Sequence, residues 1–162
     1  QSLVVALKLT KLFHARSLNA WRKKTEKWSL EEKQVFETIE AIKKDTTLYM
    51  SEATFGELIF GAEKSQNKTK NLEKVEIFRK GIPSLPVDQE VWEIFGKIKA
   101  ELSKVGRIIS DMDILIAATA NRYNLILVTN DSDMNNLDFL PEIFIERENW
   151  VQNKDNMTDS KG

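Results

Sequence analysis

Apolar residues recur along this chain at two spacings, and the two alternate. Residues 3–13 interleave short apolar runs with Lys8, Thr10 and Lys11 and predict an untidy first strand. Ser17 is placed to cap a short helix carrying Leu18 and Trp21. Ser29 and Glu32 form an S-x-x-E capping box, and behind it Leu30, Val35, Phe36, Ile39 and Ile42 recur at helical spacing to about Lys44. Thr46–Met50 reads as a short strand. Ser51–Thr54 starts a helix with Phe55, Leu58, Ile59 and Ala62 as its apolar members, and a further helix covers about Asn71–Lys80, with Gly81 as its stop. Prolines bias Ile82–Val87 towards extended backbone. Asp88 then caps a helix whose stripe is Val91, Trp92, Phe95, Ile98 and Leu102, ended by Gly106. A helix over Ser110–Arg122, a strand over Leu125–Thr129 and a last strand at Ile143–Ile145 complete the order.

Strands alternating with helices imply a mostly parallel sheet covered on both faces, a three-layer α/β/α sandwich. We expect one domain over residues 1–150 and a polar, frayed tail over 151–162. In such folds ligands bind beyond the carboxyl ends of the strands, where the strand order reverses.

Composition narrows the chemistry. The 162 residues contain no cysteine and one histidine, His14, so thiol nucleophiles, disulfides and thiolate metal sites are excluded and a zinc hydrolase is disfavoured. Net charge is -1, which gives no global basic field for nucleic acid. Bases nevertheless dominate up to Lys44 and acids after Asp131. No run reaches the ~20 apolar residues of a membrane span, and no signal peptide is evident, so a cytoplasmic location is expected.

The sharpest feature is acidic. Asp111 and Asp113 open the Ala-rich helix, and Asp131 and Asp133 follow the strand after it. Acids converging there repel one another unless a cation lies between them. Taken singly, each has an ordinary reading. Asp111 reads as a cap, Asn130–Asp133 as a turn, and Glu57, in an otherwise apolar helix, as a solvent-facing residue. Together, oxygen ligands of this kind suit Mg²⁺ or Mn²⁺, which can acidify a water and neutralise charge on a phosphodiester without histidine or cysteine.

Three stretches carry a resemblance. Ser51–Ser65, with Gly56-Glu57-Leu58, is similar to the second acidic motif of PIN-domain ribonucleases, especially VapC-type toxins of toxin–antitoxin pairs. Asp113-Ile114-Leu115-Ile116-Ala117-Ala118 resembles their third motif, and Leu127–Asp133 their fourth. The resemblance implies a flavodoxin-like α/β/α fold and a Mg²⁺- or Mn²⁺-dependent endoribonuclease acting on RNA. It implies Glu57, Asp113 and Asp131 as catalytic, metal-holding acids with Asp133 as helper. It also implies a homodimer neutralised by a small antitoxin.

The departure is at the start. The family's first motif is an aspartate ending the first strand, yet no carboxylate precedes Glu26. Matched by sequence alone, His14 stands in its place with Arg16 two residues on. A neutral imidazole is a poor Mg²⁺ ligand, and an arginine there could pair with Asp113. The alternative function is therefore a non-catalytic PIN-fold protein that binds RNA or an antitoxin. A phosphoacceptor receiver domain ranks last, because its acid pair after the first strand is missing. Arg22-Lys23-Lys24 and Lys27 could contact phosphate. Trp21, Trp28, Val35, Phe36 and Ile39 are expected either to line a groove for an antitoxin helix or to lie in the core.

Overall fold

The computed structural model describes residues 5–8, 41, 47–129 and 131–149. Ala41 is helical, within the span expected of the capping-box helix. His14, Arg16, the basic run Arg22–Lys24, Lys27, the residues of the expected antitoxin groove and the tail lie outside the described residues, as does Asn130.

Among the described residues, five parallel strands form one sheet in the order β3-β2-β1-β4-β5. They are β1 (Val5–Lys8), β2 (Leu48–Ser51), β3 (Ser84–Leu85), β4 (Ile126–Thr129) and β5 (Arg147–Glu148). The central strand β1 pairs with β2 on one side and β4 on the other, with Val5 level with both Leu48 and Ile126. Helices α1 (Glu52–Glu63) and α2 (Lys68–Gly81) carry the chain from β2 out to β3. Helices α3 (Gln89–Lys104) and α4 (Asp111–Arg122) return it across the sheet to β4. The strand order reverses between β1 and β4, which is where a doubly wound sheet opens a crevice.

Both faces of this sheet are covered. Leu127 belongs to the cluster formed with Val91, Ile98 and Leu102 of α3 and Ile114 and Ala117 of α4. Its neighbours Ile126 and Val128 point the other way by the two-residue strand period, and they are buried as well. A strand buried on both sides reads as a continuous apolar run, as Ile126-Leu127-Val128 does. Ala117, Ala118 and Ala120 are fully buried on α4, and their short side chains let the helix lie close against β1, β2 and β4.

Local signals set the helix ends. Ser51 caps α1 and Asp88 caps α3, each with its side chain accepting a first-turn amide. The turn after α3 needs Gly106 at φ 68°, and Asn124 takes φ 53° just beyond α4. Several boundaries differ from the sequence expectation. β2 runs from Leu48 to Ser51, so one serine both ends a strand and caps a helix. α2 begins at Lys68 and includes Gly81. The last strand is Arg147–Glu148, because Ile143 and Ile145 pack into the core from irregular backbone. The segment expected as a turn continues as a 3-10 helix over Ser132–Phe139, held by buried Met134 and Leu137. Trp92, expected in the α3 stripe, is 52% exposed and meets Phe95 edge-to-face instead.

Candidate functional site

Three acidic segments open on the carboxyl edge of the sheet. β2 ends at Ser51 and passes directly into α1, which carries Glu57 in its second turn. α4 leads into the start of β4, so its own first turn, with Asp111 and Asp113, lies at the far, carboxyl edge. Asp131 follows the last residues of β4.

Ser110 fixes the α4 end. Its hydroxyl accepts the Asp113 amide at 3.2 Å, so Ser110 and not Asp111 is the cap. Asp111 is exposed and bound by Lys99 of α3 through both oxygens, at 2.8 and 3.0 Å. That contact fixes α4 to α3 and takes Asp111 out of the site. Asp113, two residues on, turns inward and is buried, at 6% exposure. An acid in the first turn is favoured by the helix dipole, but burial of a charge needs more than a dipole.

α1 meets α4 beside these acids. A Cβ placed on Gly56 would lie 3.5 Å from Met112 Cε, so the neighbours of Glu57 and Asp113 face each other across the helix seam. Glu57 is half-buried rather than directed to solvent. Glu57 Oε2 and Asp113 Oδ1 are both sealed from solvent. Deeper in the same seam the Ser51 and Thr119 hydroxyls share a buried hydrogen bond of 3.1 Å, tying the end of β2 to α4.

Asp131 is half-buried and caps the 3-10 helix, with Oδ1 accepting the Asp133 amide at 3.0 Å. Its own amide donates to Thr129 Oγ1 at 3.1 Å, which sets the turn off β4. Asp133, two residues further on, is exposed. Single-sequence reasoning missed Thr129 and Lys99 as the groups that set Asp131 and Asp111, because an isolated threonine or lysine carries no local signal.

A hard divalent cation would find a chemically suitable donor set here: oxygen-only, carboxylate, and supplied by three separate elements of one sheet edge. The sealed oxygens of Glu57 and Asp113 agree with that chemistry. Among the described residues, however, no three Asp, Glu or His side chains are gathered closely enough to hold a metal ion. Convergence of like charges is a geometry that a bound cation itself enforces.

The register also shows which residue ends the central strand. Lys8, the last residue of β1, stands level with Thr129 at this edge of the sheet, and the expected first-motif residue His14 lies outside the described residues.

The profile of the PIN domain matches residues 27–140. The chain belongs to the PIN-domain family. Within it, the chain is similar to ribonuclease VapC2 of Haemophilus influenzae, with 41% identity over 102 residues, covering 63% of this chain and 74% of that protein. It is 41% identical over 83 residues to the tRNA(fMet)-specific endonuclease VapC of Shigella flexneri, covering 51% of this chain and 63% of that one. The fold matches VapBC2 from Rickettsia felis, solved bound to a DNA fragment from its promoter, with a TM-score of 0.72 at 24% identity, covering 91% and 99% of the two chains. The PIN fold and the VapC-type motifs thus coincide at one sheet edge. No described helix is long and apolar enough to cross a membrane.

Proposed function

We propose that this PIN-domain protein is a VapC-type endoribonuclease that hydrolyses RNA phosphodiesters. One observation carries the reading. Glu57, Asp113 and Asp131 come from three elements, in the order of the family's acidic motifs, and open on one edge of the sheet. These three would hold Mg²⁺ or Mn²⁺, with Asp133 as helper. When bound, the ion neutralises charge on the phosphodiester and lowers the pKa of a water. The chain's own residues do the positioning. Ser110 holds the Asp113 amide, Thr129 holds the Asp131 amide, and the Lys99–Asp111 pair anchors the first turn of α4. RNA as the substrate class is supported by the ribonuclease and tRNA endonuclease names of the relatives. A cognate antitoxin is proposed from the VapBC proteins among the fold neighbours, and a homodimer in the cytoplasm from the resemblance to VapC-type toxins.

A second reading, a non-catalytic PIN-fold protein binding RNA or an antitoxin, is favoured by the absence of any carboxylate before Glu26. Cleavage of RNA in excess Mn²⁺ separates the two. The nuclease reading expects cleavage by the wild type and a loss of about a hundredfold or more in Asp113→Asn, the scale on which metal-site residues act. Equal cleavage by the two proteins would overturn the assigned acids. No cleavage at any Mn²⁺ concentration, with RNA or antitoxin binding retained, would establish the second reading.

A further inference from the structure

Two of the acid-bearing segments are joined by an arginine and an aromatic ring. Arg107 lies in the turn between α3 and α4, which leads to Asp113, and Phe139 ends the 3-10 helix that Asp131 caps. Arg107 Cζ stands over the Phe139 ring, 4.0 Å from its centroid and well inside the ~6 Å reach of a cation–π contact. The backbone fixes both positions. With Gly106 at φ 68°, the Arg107 amide donates to the Leu102 carbonyl at 2.9 Å, and the Leu140 amide donates to the Leu137 carbonyl at 3.2 Å, all three leucines being buried. The pair itself is open to solvent: Arg107 and Phe139 are exposed, and Ile108 beside them in the chain is 86% exposed. Among the described residues Arg107 has no carboxylate partner, whereas Lys99, Lys104, Arg122 and Arg147 each have one.

A cation held on an aromatic ring beside an acidic edge suits one kind of ligand. A polyanion approaching Asp113 and Asp131 is repelled by them, and a positive charge next to them offsets that repulsion. Guanidinium and aromatic planes are surfaces on which unpaired RNA bases stack, and the guanidinium fork also donates to phosphate. An antitoxin helix seats instead in a continuous apolar groove, which a single cation–aromatic pair does not make. We propose that Arg107 and Phe139 form a stacking platform for single-stranded RNA, which positions the strand beside the acidic site. The inference rests on the nuclease reading of that site. Because the ring holds the guanidinium before RNA arrives, less side-chain freedom is lost on binding.

Fluorescence anisotropy of a labelled, unstructured RNA oligonucleotide tests this with the full chain, in EDTA so that binding is read without cleavage. The proteins are the wild type, Arg107→Ala, Arg107→Lys, Phe139→Leu and Asp113→Asn. The expected result is a dissociation constant about tenfold weaker in Arg107→Ala, the scale of one stacked base. Arg107→Lys, which keeps the charge and loses the plane, and Phe139→Leu fall between it and the wild type. The same RNA in a duplex should show a much smaller loss, because its bases are not free to stack. In Mn²⁺, Arg107→Ala should raise KM more than it lowers kcat, whereas Asp113→Asn should abolish cleavage and still bind RNA. If circular dichroism shows Phe139→Leu unfolded, the two Arg107 variants, in an exposed turn, carry the test. Equal RNA affinity in the wild type and Arg107→Ala, even with a lowered unfolding temperature, makes the pair a packing contact and overturns the inference while leaving the acidic site standing. Arg107→Lys binding as tightly as the wild type makes the contact one of charge alone and overturns the stacking. Unchanged RNA affinity with a co-expressed antitoxin lost from Arg107→Ala assigns the pair to a protein interface and overturns it too. Cleavage equal in the wild type and Asp113→Asn overturns the site reading, and with it the placement of the strand, whatever the anisotropy shows.

Discussion

Asp88 shows how much one half-buried carboxylate can organise. It accepts the Val91 amide at 2.9 Å as the cap of α3, and it also faces Arg122 and the Tyr123 hydroxyl at the end of α4. The Val91 hydrogen bond, helped by the Arg122 charge, holds its carboxyl below the ordinary carboxylate range. Burial and the Asp88 charge push the Tyr123 phenol up. The folded pKa of Asp88 is thus lower than the unfolded one. Its stabilisation is complete above about pH 4 and is lost as pH falls through the folded value. Thermal unfolding followed against pH should therefore show a steeper acid-side fall for the wild type than for Asp88→Asn, with the variant a few degrees less stable at neutral pH. Parallel curves would mean that Asp88 does not couple folding to protons.

At the scale of elements, the seam between α1 and α4 decides where the acids stand. Gly56 faces Met112 across that seam, and the 3.5 Å from a Cβ built there to Met112 Cε is ordinary van der Waals contact for a methyl. Gly56→Ala should fold normally and gain up to about 1 kcal/mol from helix propensity. Gly56→Leu should prise the helices apart, costing about 1–3 kcal/mol by overpacking and lowering RNA cleavage with it. Denaturant unfolding of the two variants checks the contrast. The sequence made most of these elements legible, since caps and apolar periods mark α1, α3, α4 and β4 through interactions local to the chain. It left β5 misplaced, because the apolar Ile143–Ile145 run is used for packing while polar Arg147–Glu148 does the pairing. Trp92 was misread for a related reason: helical spacing identifies a stripe but not its limit. Glu57 and Asp113, two of the acids proposed to hold the metal, are legible in the sequence as motif residues. That β1 ends level with Thr129 depends on strand register, a long-range property with no local pattern in the sequence.

For the whole molecule, assembly is the open quantity. Light scattering of the purified protein should give a dimer, and co-expression with the proposed antitoxin should give a complex that survives gel filtration. A stable monomer in both experiments would count against the proposed pairing. The Gly56–Met112 contact also carries a consequence for redox chemistry. Met112 is half-buried between the two acid-bearing helices, and peroxide converts a thioether into a polar sulfoxide. Oxidation would thus insert an oxygen into the seam that positions Glu57 and Asp113. Mild peroxide treatment should add one oxygen to Met112 by peptide mass spectrometry and lower the unfolding temperature. Methionine sulfoxide reductase should reverse both changes, and Met112→Leu should escape the loss of stability.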